Sequence, residues 1–75
     1  MTFAYVLINS KLGKEDELYG KLQSSKVIKE SYVAYGVYDL IVKVEAGDER
    51  TLKDSVFRKI RNLDEVRSTL TLIIV

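Results

Sequence analysis

The 75-residue sequence contains no cysteine, no histidine and no proline. Without cysteine it can form neither a disulfide nor a thiolate metal site, and it has no thiol nucleophile. Without histidine it lacks the side chain that most often transfers protons near neutral pH and the usual ligand of haem iron. We therefore expect no metal, no cofactor and no catalytic residue. The composition favours a binding or assembly role over an enzyme.

A large excess of one charge is also missing. Twelve basic residues are balanced by eleven acidic ones, and no block of basic residues occurs. Nucleic-acid binding domains carry a basic patch, so we expect no direct contact with nucleic acid. Every unbroken apolar run, including residues 72–75, is too short to cross a bilayer, and the N-terminus resembles neither a signal peptide nor a transit peptide. We expect a cytoplasmic protein without a membrane segment.

The hydrophobic pattern predicts four strands and two helices in one domain, residues 1–75. Strands are expected over residues 2–9, 27–35, 37–46 and 66–75, and helices over residues 14–24 and 49–61. Gly36 is the one break between the second and third strands, which indicates a tight hairpin with a positive φ. Leu52, Val56 and Ile60 form an apolar stripe that Phe57 widens, and Asp48 is the expected N-cap.

This order predicts an α+β, ferredoxin-like βαββαβ fold, with two helices on one face of a four-stranded antiparallel sheet. The first and third strands would then be central. The helices are expected to cover a set of aliphatic side chains in the third and fourth strands: Leu40, Val42, Val44, Leu70, Leu72 and Ile74. The other face would carry Val37, Ile41, Ile73 and Val75, one apolar face of the first strand, and the polar residues Asp39, Lys43, Thr69 and Thr71.

Monomers rarely expose a large contiguous apolar patch, so the second face predicts a two-fold homodimer formed by sheet-on-sheet packing. A solvated face with scattered aliphatic side chains remains the alternative, because such residues are common on protein surfaces.

Two segments resemble a known family. These are YGVYDLIVKV (residues 35–44) and LDEVRSTLTLII (residues 63–74). They are similar to the hairpin and the last strand of the RAM domain, the effector-binding half of Lrp/AsnC feast/famine regulators. Full regulators carry a helix-turn-helix before this domain, whereas the first strand here begins at residue 2. The sequence therefore resembles a stand-alone RAM domain.

The resemblance implies a dimeric α+β barrel whose dimers assemble into octamers or decamers. It also implies that an amino acid or similar small metabolite binds in clefts between dimers, near the hairpin, and that full-length Lrp/AsnC regulators are partners through the shared dimer face. The implied ligand-binding residues are Gly36, Val37, Tyr38, Asp39, Thr69 and Thr71. Asp39 would accept hydrogen bonds from the ligand's ammonium group, while backbone N–H groups at the glycine turn and the threonine hydroxyls would donate to its carboxylate.

Each of these residues also has a purely structural interpretation. Gly36 suits the turn, Asp39 can bond the turn backbone, the threonines favour extended backbone, and the hairpin tyrosines can serve packing. Two alternative functions stay open. One is a small cofactor-free enzyme of the dimeric α+β barrel type, in which Asp39, Asn9 and the tyrosines are the available acid–base groups. The other is a structural assembly unit without a ligand.

Overall fold

The computed structural model describes residues 2–74 and contains the predicted elements in the predicted order. The elements are β1 (Thr2–Ser10), α1 (Glu15–Gln23), β2 (Ile28–Val33), β3 (Leu40–Ala46), α2 (Glu49–Val56), a π-helical turn that continues α2 (Phe57–Arg61), and β4 (Val66–Ile74). The predicted last strand residue, Val75, lies outside the described residues. The α+β, ferredoxin-like βαββαβ fold is confirmed.

The sheet is antiparallel throughout, with the strand order β2-β3-β1-β4. β1 and β3 are therefore the central strands, as predicted. Their sequences explain this position, because side chains on both faces of β1 are apolar and such a strand gains most from being covered on both sides. No helix within residues 2–74 is long and apolar enough to span a membrane.

The hydrophobic core lies between the sheet and the two helices. It is built from alternate residues of the central strands and from helix residues mostly spaced four apart, which lie on one helix face. Its buried members are Ala4, Val6, Ile8, Leu18, Leu22, Leu40, Val42, Val44, Leu52, Val56 and Ile60. Phe57 was expected to join this stripe, but its side chain is 56% exposed and packs beneath the Arg61 guanidinium. It follows Val56 directly and so points about 100° away from the buried stripe.

The prediction for β4 is wrong in its choice of face. Thr69 and Thr71 pair with the buried Ile8 and Val6, so the threonines lie on the helix-covered face together with Ile73. Three other aliphatic side chains of the strand point to the other face and are 40–46% exposed: Leu70, Leu72 and Ile74. Strict alternation determines which residues share a face but not which face is covered, and the sequence-based choice put the larger residues inside.

The connection between β2 and β3 is longer than the tight hairpin that was predicted. β3 begins at Leu40, and residues 34–39 form the connection, which the Ala34 N–H closes by donating to the Asp39 carbonyl at 2.7 Å. Gly36 has the predicted positive φ, at +156°. Val37 and Asp39, which were expected in the third strand, therefore lie in a loop.

Both helix starts follow the predicted chemistry. Asp48 is the N-cap of α2, where its carboxylate accepts a 2.7 Å hydrogen bond from the Thr51 backbone N–H, and this bond lowers the pKa of Asp48. The first turn of α1 carries Glu15, Asp16 and Glu17, whose negative charges complement the positive end of the helix dipole.

An ion pair ties α1 to the start of β4. The Lys21 ammonium lies 2.7 Å from Oε2 of Glu65, whose side chain is only 9% exposed, and the Glu65 carbonyl accepts from the Lys11 N–H at 2.8 Å. The hydrogen bond from Lys21 lowers the pKa of Glu65, and a bond to the backbone N–H of Glu65 itself acts in the same direction. A largely buried carboxylate that loses such a partner is costly, so this pair fixes the position of the loop before β4.

Acid should weaken the fold through Glu65, because folding holds the pKa of this carboxyl below its ordinary value of 4.5. As the pH falls, the Glu65 carboxylate takes up its proton first in the unfolded chain. The contribution of Glu65 to the free energy of unfolding is therefore complete above pH 4.5 and is lost as the pH falls through the lower pKa of the folded state. From about pH 5 to about pH 3, Glu65→Gln should therefore lose unfolding free energy less steeply than the parent chain. Urea unfolding followed by circular dichroism measures this. Glu49→Gln, which removes one carboxylate from an exposed position of α2, is the control for loss of charge and should change the pH dependence less than Glu65→Gln does. Parallel curves for Glu65→Gln and the parent would contradict the assignment.

Candidate functional site

A surface cleft lies where the β2–β3 connection meets the first turns of α1. We call it the hairpin cleft. It has a volume of about 610 Å³, within the range of small-molecule sites. Its lining residues come from α1, the end of β2, the connection and the start of β3: Glu15, Asp16, Tyr19, Val33, Ala34, Tyr35, Asp39 and Leu40. Three carboxylates, two tyrosines and aliphatic groups thus face one space, which suits a ligand with a cationic group and an apolar part.

Asp39 is the most firmly held polar group of the cleft. Its backbone N–H donates to the Ile8 carbonyl at 2.9 Å, and its Oδ2 accepts from both the backbone N–H and the hydroxyl of Ser10 at 3.0 Å. Ser10 is buried, with 7% exposure. Oδ1 of Asp39 accepts no hydrogen bond from residues 2–74. The carboxylate is therefore oriented by one oxygen, while the other keeps its capacity to accept.

The other predicted hairpin residues lie in the same loop but do not line the cleft. Gly36 and Val37 are exposed, Val37 by 78%, and Tyr38 is half-buried. The cleft is lined instead by their neighbours Tyr35 and Asp39. Ligand binding by Gly36, Val37 and Tyr38 therefore stays a prediction, and Tyr35 is the residue of this loop that forms a wall of the cleft beside Asp39.

Thr69 and Thr71 do not join the hairpin cleft of the same chain. Leu40, Ile8 and Thr69 form one row across the sheet, which places Thr69 two strands away from β3, a separation of roughly 10 Å. The threonines also lie on the helix-covered face, whereas they were expected on the uncovered one together with Asp39. One chain therefore brings four of the six predicted residues to one loop and keeps the threonine pair apart.

Three lining residues from α1 were not predicted as site residues. Glu15 and Asp16 were interpreted through the helix dipole alone, and Tyr19 carried no motif. A signal was available, because β1 and β3 are antiparallel neighbours, so the loop after β1 and the hairpin must lie at the same end of the sheet. The first turn of α1 follows that loop directly.

The face of the sheet away from the helices is the second candidate surface. We call it the open sheet face. Three rows cross it in register: Glu45–Phe3–Ile74, Lys43–Tyr5–Leu72 and Ile41–Leu7–Leu70, with Tyr32 of β2 beside Ile41. It therefore carries a continuous apolar patch over β1 and β4, of a kind that soluble monomers rarely leave in water.

Charged groups occupy the β2–β3 side of the open sheet face. The Lys43 ammonium lies 3.6 Å from Glu30, 3.8 Å from Glu45 and 4.6 Å from the centre of the Phe3 ring. The Tyr32 hydroxyl donates to Glu30, and this bond lowers the pKa of Glu30 and raises that of Tyr32. One ammonium group is thus shared by two carboxylates, which leaves one excess negative charge on this side of the apolar patch.

Comparison with solved structures identifies relatives of the whole domain. The crystal structure of FFRP-DM1 is 41% identical, with a TM-score of 0.95 over 100% of both chains. TTHA0845 from Thermus thermophilus is 31% identical, with a TM-score of 0.91 over 100% of this chain and 94% of the other. AsnC from E. coli is 28% identical, with a TM-score of 0.90 over 99% of this chain and 50% of AsnC. The chain belongs to the Lrp/AsnC family. No protein-family model and no curated protein sequence matches it.

The match to AsnC covers half of that regulator, so the present chain corresponds to one of the family's two halves, the effector-binding RAM domain. A more distant structure, the transcriptional regulator NMB0573 from Neisseria meningitidis in complex with L-Met, shares the fold at 9% identity, with a TM-score of 0.87. The fold class predicted from the sequence is therefore the fold of these regulators.

Replacement of Asp39 should separate its structural role from its charge. Asp39→Ala leaves the buried Ser10 N–H without its acceptor, so it should lower the unfolding free energy by about 1–3 kcal/mol. Asp39→Asn keeps an oxygen acceptor at nearly the same position and should cost clearly less. Urea unfolding at one fixed protein concentration measures both variants. Equal losses in the two variants, or no loss in Asp39→Ala, would show that the contact with Ser10 does not support the fold.

Proposed function

We propose that this chain is an amino-acid-sensing oligomerisation module that modulates Lrp/AsnC-type transcription regulation. The observation that supports this proposal most is the hairpin cleft, where a carboxylate oriented by Ser10 faces aromatic and aliphatic walls in a domain of this family. A relative of the same fold, NMB0573, was crystallised as a complex with L-Met.

The chemistry of the cleft suits the cationic end of an amino acid. The Oδ1 atom of Asp39 would accept from the ligand ammonium, a charge-assisted bond roughly twice as strong as a neutral one. Tyr19 and Tyr35 would contact the ligand side chain. Within residues 2–74 the lining residues include no cationic side chain, so the ligand carboxylate needs donors from elsewhere. Gly36 backbone N–H and the hydroxyls of Thr69 and Thr71 from a neighbouring chain are the proposed donors.

The same proposal assigns the open sheet face to a second copy of this chain. Two such faces packed about 10 Å apart would bury the apolar patch of both copies. A two-fold axis makes the contact isologous. Dimers would then assemble into octamers or decamers, with the hairpin clefts at the contacts between dimers. Because full-length Lrp/AsnC regulators contain this domain, their sheets are the proposed alternative partner of the same face.

The proposed role includes no catalytic step and no direct contact with nucleic acid. In support, the Asp39 carboxylate, the main acid–base candidate of the sequence, uses one oxygen to hold Ser10. A structural assembly unit without a ligand differs from the proposed sensor by a single property, the binding of an amino acid, which is tested below.

Leu72→Lys places a charge in the middle of the apolar patch and should convert the assembly to smaller particles, because burying an unpaired ammonium is costly. Light scattering coupled to size-exclusion chromatography should show a lower mass than for the parent chain. Leu12→Lys is the matched control, since Leu12 is fully exposed in the loop after β1, and it should leave the dimer intact. If Leu72→Lys kept the parent mass, or if the parent were an 8.6 kDa monomer, the open sheet face would not be the dimer contact.

Native mass spectrometry with the twenty common amino acids should show a bound ligand and the number of chains in the same spectrum. Calorimetry with that amino acid should then give at least about tenfold weaker binding for Asp39→Asn, which keeps the bond to Ser10 and loses the charge. Glu49→Gln removes a carboxylate on α2 that does not line the hairpin cleft, so it should leave the affinity unchanged. An affinity of Asp39→Asn within about twofold of the parent would remove Asp39 from the site. No bound amino acid on an intact assembly would favour the structural unit.

A further inference from the structure

A second cleft lies on the side of the domain opposite to the open sheet face. It runs between the end of α1 and the π-helical turn after α2 and has a volume of about 780 Å³. Four cationic side chains line it, Lys21, Lys26, Arg58 and Lys59, together with the hydroxyl-bearing Ser24 and Ser25. We call it the basic groove. Its lining includes no carboxylate within residues 2–74, although the chain as a whole has a net charge of only +1.

The neighbouring carboxylates neutralise only half of this charge. Lys21 pairs with Glu65 at 2.7 Å, and Arg58 pairs with Asp54 at 3.0 Å. Lys26 and Lys59 form no ion pair within residues 2–74. Two cations thus face the groove without a partner, beside two others that retain further N–H donors.

Stabilisation of the helix ends does not explain the whole cluster. Cations near a helix C-terminus offset the negative end of the helix dipole, and the π-helical turn carries three of them. Two are engaged locally, since Arg61 stacks on Phe57 and Arg58 bonds to Asp54. Lys26, however, follows α1 and belongs to neither helix. It lines the groove with Lys59, so the groove collects charge from two separate parts of the chain.

The π-helical turn is the local feature that shapes this side of the groove. The Asn62 N–H donates to the Phe57 carbonyl at 3.1 Å, five residues back, which widens the last turn after Val56. Ile60 remains buried while Arg58 and Lys59 line the groove. Such π-helical turns occur frequently at functional sites. The opposite side of the basic groove is also ordered, because the ion pair with Glu65 fixes the Lys21 side chain.

We propose that the basic groove binds a small phosphate-bearing ligand. A phosphate group carries about 1.5 to 2 negative charges, which matches two unpaired cations better than a single carboxylate does. The guanidinium of Arg58 and the hydroxyl of Ser25 supply donors in addition to the ammonium groups, whereas the Ser24 hydroxyl already donates to the Lys21 carbonyl at 2.9 Å. The groove is separate from the hairpin cleft and from the open sheet face, so it stays accessible when two copies pack through their sheets. This inference is independent of the amino-acid site.

Calorimetric titration at low ionic strength with inorganic diphosphate, and separately with a nucleoside triphosphate, tests the proposal on the parent chain. We expect binding that the double variant Lys26→Gln/Lys59→Gln weakens by at least about tenfold. The control Lys29→Gln/Lys53→Gln removes the same charge at exposed positions outside the groove and should stay within about twofold of the parent. Inorganic triphosphate matches the phosphate chain of the nucleotide, so tighter binding of the nucleotide than of inorganic triphosphate would assign the rest of the groove to the nucleoside.

Three results would overturn the proposal. The first is that neither diphosphate nor the nucleotide binds at about millimolar concentration. The second is equal weakening by the groove variant and the control variant, which would show attraction by overall charge alone. The third is binding of a short DNA duplex that the groove variant weakens while diphosphate does not bind, because the groove would then contact a nucleic-acid backbone rather than a small ligand.

Discussion

The structure depends on a mismatch between a sheet that carries apolar side chains on both faces and two helices that cover only one of them. Val6 and Ile8 on the covered face of β1 are fully buried, while Tyr5 and Leu7 on the other face lie beside Leu70 and Leu72 of β4, which remain 45–46% exposed. β4 strengthens this mismatch, because it places two threonines and Ile73 on the helix-covered face and three aliphatic side chains, Leu70, Leu72 and Ile74, on the other. Burial of apolar area is the main favourable term in association, so we infer that this face recruits a second copy.

The hairpin cleft is connected to this sheet through Asp39. One residue joins the β2–β3 connection to β1 by its backbone bond to Ile8 and by its carboxylate bonds to Ser10. A ligand that engages the same carboxylate would therefore act on a loop that is already tied to a central strand. This arrangement gives the proposed sensor a short physical path from the ligand to the sheet, through contacts that lie within one chain.

The sequence predicted the fold well because its strongest signals are local. The order of elements, the central position of β1 and β3, and the Asp48 cap follow from alternation, spacing and a single capping residue. The face of β4 did not follow, because both sets of its alternating residues tolerate burial. The same reasoning explains why the six predicted site residues do not all lie together: residues 36–39 are contiguous and stay in one loop, whereas the position of the threonine pair depends on the face of β4. Glu15, Asp16 and Tyr19 reach the cleft only through tertiary packing.

An isotope-filtered NOE experiment on a mixture of labelled and unlabelled chains tests the central inference most directly, because it reports which protons of two copies are close. We expect intermolecular contacts that connect the rings of Phe3 and Tyr5 with the methyl groups of Leu70 and Leu72 across the two-fold axis. Intermolecular contacts confined to the helices, or none at all in a sample at high concentration, would contradict the assignment of the open sheet face to a second copy.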